Sequence, residues 1–307
     1  MSSRKIFNWF ITENGRKFSF YAAGAASTCA MLLNFLPQTI LLEQYKDLVQ
    51  LYKKGLSVPV SLKLKERFLK AIEITQVHPL DRELFKPFSA YGFEIFSAGS
   101  IFSRYGVIVG LPANFSYDSL DGIDKSIIKV NNEPVPWDTE EGQALLNSLV
   151  LSENAQLYAI AREIRYRQTS KPLLDVFLAT SSCLVAYGLG NKINKKFNFY
   201  MQPFPLRFIM YSLVGLFVAG NYIICKDFSQ IYYEESIDKE LKEIPEMASG
   251  GKEFYEKILQ RNVALRKLMG KDGENLYTSS GNENYMVRLK HIPLVQRKSF
   301  FEKNIPA

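Results

Sequence analysis

Histidine is nearly absent. The 307 residues hold two, His78 and His291, each near a proline and far apart in the chain. A catalytic zinc needs three protein ligands and an open position, so a histidine-built centre is short of material. Both histidines read as turn or surface residues. Cysteine is as scarce. Cys29, Cys183 and Cys225 all lie in apolar runs, with neither metal spacing nor a disulfide pattern. That argues against a disulfide scaffold and against copper handling by this chain itself. No G-K-[ST] phosphate loop, EF-hand ligand series, internal repeat or low-complexity tract is present. Acidic residues are missing from residues 192–207 altogether.

That last absence accounts for much of the net charge of +7. Residues 1–17 carry +3 and residues 192–207 carry +4, whereas residues 43–171 are neutral, with sixteen charges of each sign. A nucleic-acid surface would gather its charge on a folded face. Here the excess flanks apolar runs, as the positive-inside rule describes for membrane proteins. The expectation is therefore no nucleic-acid partner, membrane lipid as surroundings, and no small-molecule substrate or cofactor.

Three uncharged runs carry that reading: 18–42, 176–191 and 208–225. About 20 apolar residues cross a bilayer core. The second run is short, but Asp175 and Lys192 at its ends can reach the interface. Residues 22–27, AAGAAS, offer small side chains that admit a neighbouring helix. The expected layout is a basic segment 1–17, a span 18–42, a soluble region 43–171, a membrane hairpin 172–225 with a basic loop 192–207, and a second soluble region 226–307. The two soluble regions lie on one side of the membrane and can pack together. The expected fold class is α+β and predominantly helical, with a small sheet.

Within the soluble regions the periodicity predicts helices over 61–77, from Thr139, and from Ser152 through AREIRY at 161–166. Strands are expected at 92–96, 105–111 and 126–130, the last followed by an Asn131-Asn132 turn. A helix over 227–247 should break at Gly250-Gly251, and another should end at Gly270.

AREIRY holds the frame of a zinc-peptidase helix, H-E-x-x-H, with both histidines replaced: Arg162-Glu163-Ile164-Arg165-Tyr166. With VIVGLPANF at 107–115, a hairpin, and then Glu234 and Asp238 in an E-x-x-x-D frame, the order resembles that of HtpX-like membrane metallopeptidases. The resemblance implies a degenerate zincin-like fold split by a membrane hairpin. A guanidinium cannot ligate a metal. The expected arrangement is a structural clamp, with Arg162 offsetting Glu163 and Glu234, Tyr166 adding a hydroxyl donor, and Asp238 nearby. No catalytic or metal-binding residue is expected. The alternative is a membrane metallopeptidase with unrecognised ligands. Residues 270–277, GKDGENLY, read as an exposed turn, with Lys271, Asp272, Glu274 and Tyr277 as a candidate partner-binding loop.

The stretch from Gly250 to Asn282, then RLKHIP at 288–293, closely resembles the transmembrane protein 177 family. That resemblance implies a protein of the mitochondrial inner membrane; with the positive segments 1–17 and 192–207 facing the matrix, the expected orientation puts the N-terminus in the matrix and the soluble regions toward the intermembrane space. The resemblance implies no enzyme activity and carries over no catalytic residue; the pseudo-protease expectation rests on the degenerate frame at Arg162–Tyr166. The implied role is in cytochrome c oxidase assembly (complex IV biogenesis). The implied partners are oxidase subunit 2, its maturation chaperone and copper-delivery assembly factors.

Overall fold

The structure, a computed structural model, describes residues 9–126, 128–285 and 288–303. Of the expected features, residues 1–8 of the basic segment, Ile127 of the third strand, and residues 286–287 and 304–307 of the second soluble region lie outside them.

In chain order, α1 spans Glu13–Phe35 and ends in a 3₁₀ turn, Leu36–Gln38. Then follow α2 (Leu42–Val49), the short hairpin β1 (Tyr52–Lys53) and β2 (Leu56–Ser57), and α3 (Leu62–Ile74). The sheet strands β3 (Phe85–Ala90), β4 (Phe96–Gly99) and β5 (Val107–Pro112) come next, then the hairpin β6 (Lys129–Val130) and β7 (Glu133–Pro134). The rest is helical: α4 (Glu140–Leu149), α5 (Glu153–Gln168), α6 (Lys171–Lys196), α7 (Phe204–Lys242), α8 (Pro245–Leu268), α9 (Lys271–Leu276) and α10 (Leu294–Glu302).

The chain divides into two compact units. One holds the described residues up to Gln38 with Ser170–Ser229; the other holds Thr39–Thr169 with the described residues from Gln230 onward. Both soluble stretches thus belong to a single unit.

Among the described residues, three helices are long and apolar enough to cross a membrane, and their apolar parts lie in the first unit, so the protein is multi-pass. Its first helix starts where Thr12 accepts a hydrogen bond from Gly15 N, and it is already ended at Phe35, before Pro37. The apolar run to residue 42 therefore overestimates the span, and Leu42 is buried beside the sheet of the second unit instead. The second helix is longer than its uncharged run, because Lys171 pairs with Asp175 one turn on. Ser27, in the small-residue stretch, donates to Thr180 O of α6 at 2.9 Å, so α1 and α6 approach closely there. The 39 residues of α7 make a rod of about 60 Å. That is twice the hydrocarbon thickness, so α7 outlasts the third span and enters the second unit.

In the second unit β5 is central and wholly buried, parallel to β3 and antiparallel to β4. Strand β3 is absent from the sequence reading because Pro87 speaks against a strand; it is tolerated because β3 is an edge. The strand expected at 92–96 begins only at Phe96. Residues 93–95 turn aside, and Arg261 holds Phe93 O at 3.1 Å and Glu94 Oε1 at 3.0 Å. Asn131 and Asn132 both take positive φ, 53° and 63°, and close the two-residue β6–β7 hairpin.

Helix α5 runs through the middle of this unit. Leu157, Tyr158, Ala159, Ile160, Ala161 and Ile164 are at 0% exposure, covering more than one face. A helix buried that completely needs neighbours all round, and it packs on α3, α8 and the sheet. The Gly250-Gly251 pair does not break the chain; it lies inside α8, and Pro245 sets the boundary with α7. A Cβ at Gly250 would sit 2.2 Å from Asn154 O, and one at Gly251 would sit 2.9 Å from the Phe301 ring. These glycines admit α5 and α10 against α8. Gly270, at φ 57°, follows the end of that helix, as expected.

Candidate functional site

The degenerate frame lies on the half of α5 that faces a cavity of about 570 Å³ in the second unit. Arg162 and Glu163 pair with each other: Nε and Nη2 of the arginine donate to Glu163 Oε1 at 3.2 and 2.7 Å. The other carboxylate oxygen accepts from Ser97 Oγ of β4 at 2.6 Å. Ser97 Oγ in turn accepts from Arg167 Nε at 2.8 Å. The Arg162 guanidinium also lies over the Phe254 ring, 5.6 Å from its centroid. Burial alone would raise the Glu163 pKa, but the Arg162 charge and the two hydrogen bonds outweigh it and hold the carboxyl below its usual value. Glu163 therefore stays ionised, with both oxygens occupied.

The second pair of carboxylates stands one turn apart on α7. Glu234 and Asp238 are both buried. Their cation is Arg297 of α10, which the sequence reading does not single out. Its Nε and Nη2 each donate to Asp238 at 2.7 Å, and its Nη1 lies 3.6 Å from Glu234 Oε2. The same guanidinium covers the Tyr255 ring at 4.7 Å. Tyr158 donates to Asp238 Oδ1 at 2.7 Å, and the Tyr158 and Tyr255 hydroxyls lie 2.8 Å apart. Burial pushes Tyr255 up to about 12, so it remains a neutral donor.

Glu234 gathers Gln230 Nε2 at 2.8 Å, Ile292 N at 3.1 Å and the Nδ1 of His291. Burial would raise its pKa, but the His291 hydrogen bond and the Arg297 charge bring it down to about 2. For His291 to donate, its proton must sit on Nδ1. Tyr166 joins indirectly: its hydroxyl donates to Gln230 Oε1 at 2.7 Å, and Gln230 passes a donor on to Glu234.

The expected clamp is thus corrected in its wiring. All five predicted residues lie in one network region, but Arg162 serves Glu163, while Arg297 and His291 serve Glu234. His291 is a site residue and not a bystander. His78, by contrast, caps a 3₁₀ turn at Leu80 N. His291 and Arg297 sit more than fifty residues from Glu234 in sequence, and only the return of the C-terminal segment brings them there. The frame does not fit a zinc ion. Its first histidine position holds a guanidinium paired with the would-be catalytic glutamate, and its second holds a tyrosine bound to an amide.

The cavity is also lined by Asn114. Its Nδ2 donates to Leu149 O at 3.1 Å, and its buried Oδ1 has no partner among the described residues. The stretch at 271–277 is a short helix, not a turn. Lys271, Asp272 and Glu274 are exposed on it, and Tyr277 is half-buried behind it. Arg266 Nη1 holds the Tyr277 carbonyl at 2.7 Å.

A family model described as Transmembrane protein 177 matches residues 89–297, which contain the whole network from Ser97 to Arg297. The chain is 32% identical to transmembrane protein 177 of Xenopus laevis over 262 residues, covering 83% of this chain and 84% of that protein. It is also 32% identical to transmembrane protein 177 of Homo sapiens over 256 residues, covering 82% and 81%. The Danio rerio protein of that name gives 32% over 260 residues. No solved structure matches the chain.

Proposed function

Because the chain belongs to the transmembrane protein 177 family, we propose that it is a non-catalytic assembly factor of the mitochondrial inner membrane. In this reading it associates with the chaperone that matures cytochrome c oxidase subunit 2 and stabilises it during complex IV biogenesis, alongside copper-delivery factors. The N-terminus and the basic hairpin segment face the matrix, and the second unit faces the intermembrane space.

One observation carries the non-catalytic part. Glu163, the residue that would activate water in a peptidase frame, has Arg162 on one oxygen and Ser97 on the other. A general base must reach the proton it abstracts. This carboxylate instead ties α5 to β4 through Ser97. The Glu234–Asp238–Arg297 group has the same character: every charge has a partner and a place in the packing. Such a unit offers a rigid body to a partner protein, with the exposed α9 and the segment bordering the cavity as contact surface.

The test is affinity purification of tagged protein from gently solubilised mitochondria, with metal analysis of the same eluate. Subunit 2 and its maturation factors, without stoichiometric zinc, are the expected result. Stoichiometric zinc, with peptide cleavage lost in Glu163→Gln, would replace this reading by the metallopeptidase one.

A further inference from the structure

The first unit has its own cavity, of about 590 Å³, where the start of α1, the end of α6 and the start of α7 come together. Among the described residues three cations line it: Arg16, Lys195 and Arg207, one from each helix. No acidic side chain lines it among the described residues.

Arg207 is the telling residue. It is 5% exposed, and its Nε has no hydrogen-bond partner among the described residues. A guanidinium keeps its charge at any physiological pH. Burying that charge without an anion is costly. A second buried group is also unpaired. Asn194 is 3% exposed; its Nδ2 donates to Tyr211 Oη at 2.8 Å, while its Oδ1 has no partner among the described residues. The site therefore offers positive charge and one free acceptor in the same enclosure. Arg16 is held toward it by the Tyr200 ring, 5.5 Å from the guanidinium carbon.

Apart from Ser19 and Asn191, the remaining wall is aromatic and apolar, including Phe204 and Phe208, which are 37% and 60% exposed on the membrane helix α7. A ligand that fits must carry a phosphate-like anion beside a hydrogen-bond donor, and an apolar body that lies along exposed phenylalanines. We propose that this cavity binds the headgroup of an anionic glycerophospholipid. The phosphate lies between Arg207, Arg16 and Lys195, a headgroup hydroxyl donates to Asn194 Oδ1, and the acyl chains run along Phe204 and Phe208. Basic pockets between membrane helices on the positive side are suited to such headgroups. A free phosphate would satisfy the cations but leave the apolar wall unused.

The test uses the full chain, purified in mild detergent and stripped of lipid. Binding is read by native mass spectrometry and by the shift of the melting temperature on adding lipid. Phosphatidylglycerol is the ligand probe, phosphatidylcholine the zwitterionic control, and inorganic phosphate the free-anion control. Phosphatidylglycerol should bind and raise the melting temperature, and the two controls should not. Arg207→Gln should weaken phosphatidylglycerol binding about fivefold or more, in line with the strength of one basic contact to an anionic lipid. Arg16→Gln, at an exposed and more tolerant position, should weaken it in the same direction should the Arg207 variant fail to fold. Lys192→Gln removes the same charge outside the cavity and should leave binding unchanged. Equal binding of phosphatidylcholine, an equal loss in Lys192→Gln, or a melting shift from inorganic phosphate as large as that from lipid would each overturn the assignment.

Discussion

Two buried guanidiniums, one in each unit, stand in opposite circumstances. Arg297 in the second unit is bidentate on Asp238, close to Glu234 and stacked on Tyr255. Arg207 in the first unit is as deeply buried, and its Nε has no partner among the described residues. Around Asp238 and Glu234 the second unit neutralises its buried charge from within. The first holds cations whose anion has to come from its surroundings. One chain thus uses the same side chain as a structural tie in one unit and as a receptor in the other.

The comparison breaks most visibly if Arg297 proves dispensable. Arg297→Ala leaves two carboxylates buried without their cation and should destabilise the second unit by about 3–5 kcal/mol, the usual cost of breaking a buried pair. Thermal or urea unfolding of the solubilised chain reads it, and an unchanged midpoint would refute the structural role.

Acid sharpens the same point. Glu234 is held at about 2 against an ordinary 4.5, so its folded pKa is depressed. Its contribution is fully present above the unfolded value and is lost as pH falls from about 5 toward 2, amounting to roughly 3 kcal/mol for that shift. Unfolding followed over that window should show a loss that is smaller in Glu234→Gln, whose side chain does not titrate.

A packing test comes next. Gly250→Ala places a methyl group against Asn154 O, and the α5–α8 approach should loosen at a cost of about 1–3 kcal/mol. A melting temperature equal to that of the parent would mean that the two helices are not held so closely. The smallest effect belongs to the exposed helix α9. Lys271→Ala should change stability by no more than about 0.5 kcal/mol. A fall in co-purifying partners at unchanged stability would mark α9 as contact surface; unchanged co-purification would remove it from that role.

Much of the architecture was legible because it rests on local signals. Thr139 and Ser152 cap helices as their side chains suggest, accepting from Gly142 N at 3.1 Å and Ala155 N at 3.2 Å. The three membrane helices follow from runs without charge. The five clamp candidates were legible because AREIRY and the E-x-x-x-D pair Glu234 and Asp238 have recognisable frames. Their partners were not. His291 read as a surface residue, since nothing near it in sequence says that it will meet Glu234. Gly250-Gly251 read as a break because glycine usually weakens a helix; here the pair is retained for the space it leaves. Strand β3 was missed because propensity disfavours Pro87 and cannot know that the strand is an edge.

The sequence alone determined which segments are apolar enough to enter a membrane, where helices begin, and that the Arg162–Tyr166 frame cannot ligate a metal as its pattern would require. These follow from chain-local chemistry: side-chain transfer energies, capping groups, and a guanidinium that does not lose its proton. The tertiary structure decided which cation meets which anion. Arg162 went to its own neighbour, Arg297 crossed from α10 to α7, and Arg207 was buried with its Nε unpaired among the described residues. Charge pairing depends on distances of a few ångströms between residues far apart in the chain, and those distances exist only after the helices have packed.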